Sequence, residues 1–353
     1  MNGHRFLGRS LRSLATMTAA GRVVTKRDRR RPDPAADDHL GAIRGEPRRI
    51  RGPRATRLYT EWFPPPEGGS GTVIFTHGLC LTEAVWHYQK RDLAGAGFGI
   101  VTWDLPGHGH SEAIAPGELT QEMAIDALAR VVEEYTDPSG GAVLVGHSLG
   151  GLTTLGYLGE RQERCRELVR GAVLASTPMT HFAHAVAGGW AGAGVESRLL
   201  ARVLRFMVES DRVDRYLGRD VGTAKDSIAY RVIRAGFGRN PSPTQIRFIR
   251  DVIASVPPQV RADAYTAMTT YDVRPLLGGI EQPALVVIGE EDRLVNPAES
   301  ELLARRLPAG ETLVLPDVGH GAFLEVPNTF NGAVRAFAGR ALGTGPASEA
   351  GSA

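Results

Sequence analysis

The sequence predicts an α/β protein with a doubly wound, mostly parallel sheet and a helical cap inserted between two of its core strands. Three observations lead there. Short runs rich in Val, Ile and Leu recur without alternation, as parallel strands buried on both faces do. Longer segments with apolar residues at helical spacing separate them. One gap of about 100 residues between two of the runs carries helical patterning only. At 353 residues the chain can hold one large domain with an insertion or tails.

Regular patterning starts near Thr56, with residues 56–62 reading as a strand before the turn Pro64-Pro65-Pro66-Glu67-Gly68-Gly69. Further strand runs lie at 72–76, 99–103, 142–145, 171–175, 284–288 and 312–315. Residues 118–135 set Met123, Ile125, Leu128, Val131 and Val132 on a helical stripe. Asn296-Pro297-Ala298-Glu299 has the form of a helix start, with Asn as N-cap and Pro in the first turn. Within the long gap, residues 196–209 carry a second apolar stripe, and Ser242-Pro243-Thr244-Gln245 reads as a capping box. The expected organisation is a tail over 1–55, a core over 56–177 and 276–342, a helical cap over 178–275, and a disordered tail over 343–353.

Composition narrows the function classes. The formal net charge is +2, which gives no overall reason to expect a nucleic-acid partner. That total hides an asymmetry: residues 1–55 carry +9 and the remainder −7. The basic tail, with Arg29-Arg30-Arg31, fits a disordered segment, a transit-like leader or a weak peripheral contact with anionic lipid. No run of about 18 apolar residues offers a membrane span. Cys80 and Cys165 are the only cysteines, too few for a disulfide framework or a zinc site, and fit free thiols in a reducing, cytoplasmic setting. His181 and His184 stand at i, i+3 spacing with no third ligand nearby, so no metal is expected. With no P-loop and no dinucleotide fingerprint, no cofactor is expected either. Oligomeric state is not legible.

The chemistry gathers in loops that follow predicted strands. Gly146-His147-Ser148-Leu149-Gly150 follows the strand at 142–145 and opens a helical run through Leu152, Leu155 and Leu158. A serine at such a turn is exposed at the carboxyl edge of the sheet, and the helix N-terminus behind it favours developing negative charge. His77-Gly78-Leu79-Cys80 follows the strand at 72–76, and Asp104 through Ser111 (D-L-P-G-H-G-H-S) follows the strand at 99–103. Gly289-Glu290-Glu291-Asp292 closes the strand at 284–288, and three acids in a row leave the choice of acid open on chemistry alone. Asp317-Val318-Gly319-His320-Gly321 comes after the last strand, followed by Glu325 and Pro327.

Together these four loops and the serine turn, in this order, resemble the α/β-hydrolase family over residues 56–342. The resemblance implies a nucleophile–acid–histidine triad in which Ser148 attacks, His320 is the general base and Asp292, picked by the family's G-x-x-D pattern, orients it. It implies an oxyanion hole from the backbone N–H groups of Leu79 and Leu149. His77 and the Asp104 turn would organise loops, His108 would take no catalytic part, and Glu325 would be a structural partner for the helix after it. Serine at the nucleophile position departs from the epoxide hydrolases and haloalkane dehalogenases, which carry Asp there. Cap-bearing relatives with serine imply hydrolysis of a small-molecule carboxylic ester through an acyl-serine. Thioesterase, C–C hydrolase, acyltransferase or cofactor-free perhydrolase activity on the same triad, or a non-catalytic binding role, are the alternatives. Phe182, Trp190, Phe206 and Met207 in the cap point to an apolar acyl or alcohol group. Trp86 and Tyr88, just past the first loop, read as core packing.

Overall fold

The computed structural model describes residues 32–179, 230 and 232–343. Its strands are β1 (Glu46–Arg51), β2 (Arg57–Phe63), β3 (Thr72–Thr76), β4 (Gly99–Trp103), β5 (Ala142–His147), β6 (Val169–Ala175), β7 (Ala284–Gly289) and β8 (Gly310–Leu315). They form one sheet in the order β1-β2-β4-β3-β5-β6-β7-β8. β1 runs antiparallel to β2, and β2 antiparallel to β4. Every other neighbouring pair is parallel. The helices are α1 (His87–Leu93), α2 (Gln121–Tyr135), α3 (Leu149–Glu160), α4 (Gln162–Leu168), α5 (Pro243–Ser255), α6 (Pro258–Thr270), α7 (Pro297–Arg306), α8 (Ala322–Glu325) and α9 (Pro327–Leu342).

Unbroken apolar runs become central strands because both faces of the sheet are covered. β3, β4 and β5 are buried at every position. Ile74 and Leu144 point into one core, packed by α2, α3, α4 and α7. Their neighbours Val73, Phe75, Val143 and Val145 point into the other, packed by α1 and α9. Each fully buried aliphatic side chain contributes about 1.5–3 kcal/mol of transfer free energy, which makes the register of these strands costly to shift. β8 departs from the expectation of a strand buried on both faces. It lies at the sheet edge, and Val314 is 49% exposed.

The caps form as their residues dictate. Ser242 accepts hydrogen bonds from Thr244 N and Gln245 N, and the Gln245 side-chain oxygen accepts one from the Ser242 N–H. Asn296 accepts from Ala298 N at 2.9 Å, with Pro297 at the first helical position. Glu299 turns instead to the Met179 N–H at 3.0 Å, fastening the strand-end that leads into the inserted segment.

The boundary of the tail is corrected. Regular structure begins before Thr56, because Glu46–Arg51 pairs with residues 57–62 of β2. Only Ile50 of this strand is buried, so it showed no apolar run; its arginines are the charged dressing of an exposed sheet edge. Upstream, Arg44 reaches Glu61 at 3.1 Å and Glu83 at 2.6 Å, the same two carboxylates that hold the fully buried Lys90. Asp33 accepts from Thr244 N, Thr244 Oγ1 and Ser242 Oγ at the start of α5. Residues 33–51 therefore join the core to the inserted segment. Among the described residues no helix is long and apolar enough to cross a membrane. Cys80 and Cys165 are buried free thiols.

Candidate active site

Ser148 sits where β5 ends and α3 begins, with φ 53° and ψ −115°. Such a conformation costs a non-glycine residue about 1–3 kcal/mol and persists only where its surroundings fix it. Here its N–H donates to Ala175 O at 2.9 Å and its carbonyl accepts from Leu152 N at 3.0 Å. Gly150 lets the turn close, since a Cβ there would overlap Thr76 O and stand 2.6 Å from His77 O on β3's end. The turn thus brings Ser148 beside the loop carrying Leu79, and neither Leu79 N–H nor Leu149 N–H has an acceptor among the described residues.

His320 lies on the loop between β8 and α8. Its Nδ1 donates to Asp292 Oδ2 at 2.9 Å. The other oxygen of Asp292 accepts from Leu294 N at 2.8 Å and Val295 N at 3.0 Å, which fixes the carboxylate's orientation. A carboxylate on Nδ1 selects the tautomer that leaves Nε2 with a lone pair. Glu290 and Glu291 make no such contact with the ring; Glu291 instead lies 3.4 Å from Arg239. Of three adjacent acids, the structure brings Asp292 to the histidine.

The His320 backbone is held as firmly as its ring. Its N–H donates to Gly236 O at 2.8 Å, and its carbonyl accepts from His147 Nε2 at 3.0 Å. Glu325 accepts from the N–H groups of Gly319, Gly321 and Gly238. This corrects the expected role of Glu325. It braces the loop ahead of it, not the helix behind it, because three backbone donors converge on its side of the turn. Burial pushes its carboxyl above the usual range, against those three hydrogen bonds. His147 and Glu325 are the residues that sequence reasoning missed or misplaced. His147 occupies the variable position of G-x-S-x-G, where the pattern assigns no role.

The remaining sequence-marked groups have structural partners. His77 Nδ1 donates to Gly78 O at 2.9 Å and Nε2 accepts from Leu105 N at 3.0 Å, leaving no nitrogen for base chemistry. Burial and the neighbouring His108 hold its pKa well below the usual imidazole value. Asp104 accepts from Glu83 N and His110 N, both at 2.8 Å, and burial pushes it up to about 7. Burial pushes His108 down to about 4. Trp86 packs between Phe75 and Phe323, at 5.1 and 4.8 Å between ring centroids, and Tyr88 donates to Asp38 at 2.6 Å.

A cavity of about 150 Å³ joins these parts. Ser148, His147, His320 and Leu79 line it from the core. Ile233, Phe237, Ile249, Ile253, Tyr265 and Met268 close it from the inserted segment. Cys80 is also on the wall, but burial pushes its thiol up to about 12, so it is no rival nucleophile. Phe182, Trp190, Phe206 and Met207 lie outside the described residues, as do His181 and His184. No group of three or more His, Cys, Asp or Glu side chains among the described residues could hold a metal ion.

The family model described as alpha/beta hydrolase fold matches residues 71–327. The chain belongs to that family. The hydrolase is 25% identical, over 74% of its length and 94% of the relative's, to a pimeloyl-[acyl-carrier protein] methyl ester esterase of Nitrosomonas europaea. It is 24% identical to an AB hydrolase superfamily protein of Bacillus subtilis, over 80% of its own length and 97% of the other's. Among solved structures, an esterase from Thermogutta terrifontis superposes with a TM-score of 0.64 at 25% identity, covering 84% of this chain and 98% of that one. An esterase from Exiguobacterium antarcticum gives 0.66 at 19% identity, covering 84% and 99%, a likeness of fold alone. The hydrolase is accordingly an esterase-type member of the family.

Proposed function

We propose that the hydrolase cleaves small-molecule carboxylic esters through an acyl-serine, with Ser148 as nucleophile, His320 as general base and Asp292 as the group that orients it. The observation that carries this reading is the 2.9 Å contact from His320 Nδ1 to Asp292, on the wall of the same cavity as the left-handed Ser148. A serine hydroxyl is a weak nucleophile near neutral pH and needs such a base. His320 Nε2 takes the Ser148 proton as Oγ adds to the ester carbonyl. The N–H groups of Leu79 and Leu149, with the α3 dipole behind them, face the charge that develops on the carbonyl oxygen. Collapse of the adduct expels the alcohol, which takes the proton from His320. Water then adds to the acyl-serine, giving its proton to His320, and collapse of that adduct releases the acid as Ser148 Oγ takes the proton back from His320.

The largely aliphatic and aromatic walls favour an apolar acyl or alcohol group. The test is hydrolysis of p-nitrophenyl esters of rising acyl length by the native chain and by Ser148→Ala. Loss of the nucleophile should lower kcat by about 10⁶, to background. A native chain that turns over no ester and takes no fluorophosphonate label at Ser148 would leave a binding protein on this fold. Transfer of the acyl group to added alcohol or peroxide in preference to water would make it a transferase or perhydrolase.

A further inference from the structure

His147 joins three loops that the proposed reaction needs in register. It adjoins Ser148 in the chain. Its Nε2 donates to the His320 carbonyl at 3.0 Å, and its ring stands edge-on to the His320 ring with centroids 4.7 Å apart. Its Nδ1 is pressed against the oxyanion loop so closely that a Cβ on Gly78 would lie 2.6 Å away. Phe323 covers another side, at 4.8 Å between centroids. His147 is 3% exposed, and its Nδ1 has no hydrogen-bond partner among the described residues.

From this arrangement we infer that His147 is a positioning residue for the base: a neutral imidazole, protonated on Nε2, that ties the His320 backbone to the nucleophile turn. The inference rests on the ester-hydrolase reading above. A carbonyl accepts only, so Nε2 must carry the proton, and the ring's neutral form then leaves Nδ1 as a lone pair facing Gly78. Burial and the adjacent His320 both oppose a second proton, so the tautomer persists while His320 gains and loses charge during turnover. The other anchors of His320 come from elsewhere: Asp292 after β7, Gly236 in the inserted segment, and Glu325 through the flanking peptides. His147 is the anchor that comes from the segment bearing Ser148. Without it, the partly buried His320 carbonyl loses the donor that ties it to the nucleophile turn, and the loop is free to shift away from Oγ.

Three variants separate this role from simple packing. His147→Phe and His147→Met keep bulk but remove the donor; His147→Gln puts an amide N–H where Nε2 was. Expected is a fall of about 10–100-fold in kcat and in the fluorophosphonate labelling rate for Phe and Met, as for a catalytic group about 1 Å out of place. KM for a p-nitrophenyl ester should stay within about twofold, since Phe and Met keep a bulky side chain at the same place on the cavity wall. Gln should recover to within about threefold of the native kcat. Thermal melts check that each variant is folded. Native-like kcat in a folded Phe or Met variant overturns the inference, and so does a folded Gln variant with kcat below a tenth of native. Should Phe and Met not fold, the Gln variant decides by itself, and a Gln variant that also fails to fold makes His147 a packing residue and overturns the proposal. If the native chain neither hydrolyses esters nor labels at Ser148, it is the functional reading that fails.

Discussion

Replacing Asp292 by Asn tests the triad geometry with almost no change of shape. Oδ1 of Asp292 accepts from Leu294 N and Val295 N, and Oδ2 accepts from His320 Nδ1. An asparagine there can satisfy the two backbone donors only with its oxygen, so its NH₂ is turned toward Nδ1. His320 must then accept at Nδ1 and carry its proton on Nε2, where the lone pair for Ser148 is required. The alternative amide rotamer sets two N–H groups against two N–H groups and loses two hydrogen bonds, about 1–3 kcal/mol each for buried donors left unpaired. That cost disfavours the second arrangement, so the first one holds: the base is disabled while the fold keeps its contacts. The expected fall in kcat is about 10⁴, or roughly 5.5 kcal/mol in the barrier at 1.36 kcal/mol per decade. Steady-state hydrolysis of p-nitrophenyl butyrate would measure it, with a thermal melt as the control for folding. Asp292→Ala should lose similar activity and also stability, because the two backbone donors are then buried unpaired. An Asn variant within tenfold of native turnover would refute the assignment and shift attention to Glu290 or Glu291.

Asp33→Ala should lower stability by about 0.5–2 kcal/mol, as for loss of a helix cap, visible as a melting-temperature drop of a few degrees. Against burial, which pushes the carboxyl up, hydrogen bonds from Ser242 and Thr244 hold the Asp33 pKa below its usual value. Its contribution is thus complete above the ordinary carboxylate pKa and fades as pH falls through the lower folded value; equal melts of native and Ala forms at pH 7 would contradict this. His108 acts in a different window. Its folded pKa of about 4 lies below the unfolded imidazole value, so protonation favours the unfolded chain. Stability from this group is lost as pH falls from about 6.5 to about 4, by about 3 kcal/mol in all. Asp104 contributes the opposite slope, because burial raises its pKa to about 7 and protonation favours the folded chain. The difference between native and His108→Asn urea midpoints isolates the His108 slope, and a difference that does not change between pH 7 and pH 4.5 would refute it.

Much of the core was legible because its signals are local. β3, β4, β5 and β7 are unbroken apolar runs, and the capping residues Ser242 and Asn296 act on N–H groups two or three residues away. The four loop motifs stand directly after strands, so they arrive at one edge of the sheet whatever the rest of the chain does. β1 was not legible. A strand at a solvent-facing edge buries little, so its sequence is free to be Glu-Pro-Arg-Arg-Ile-Arg, and only its pairing with β2 defines it. The same holds for Asp33, whose partners are 209 and 211 residues away.

The sequence by itself determined the central strands of the sheet, the placing of Ser148 at a strand-to-helix turn, and the order in which an acid and a histidine follow it. The tertiary structure decided between Asp292 and its two acidic neighbours, because only the meeting of the β7 and β8 loops puts one carboxylate on Nδ1. It also turned Glu325 toward the loop before it and gave His147 a partner 173 residues away. Periodicity and capping are written in neighbours along the chain. A hydrogen bond between loops depends on where two separate strands end, and that is a property of the packed sheet.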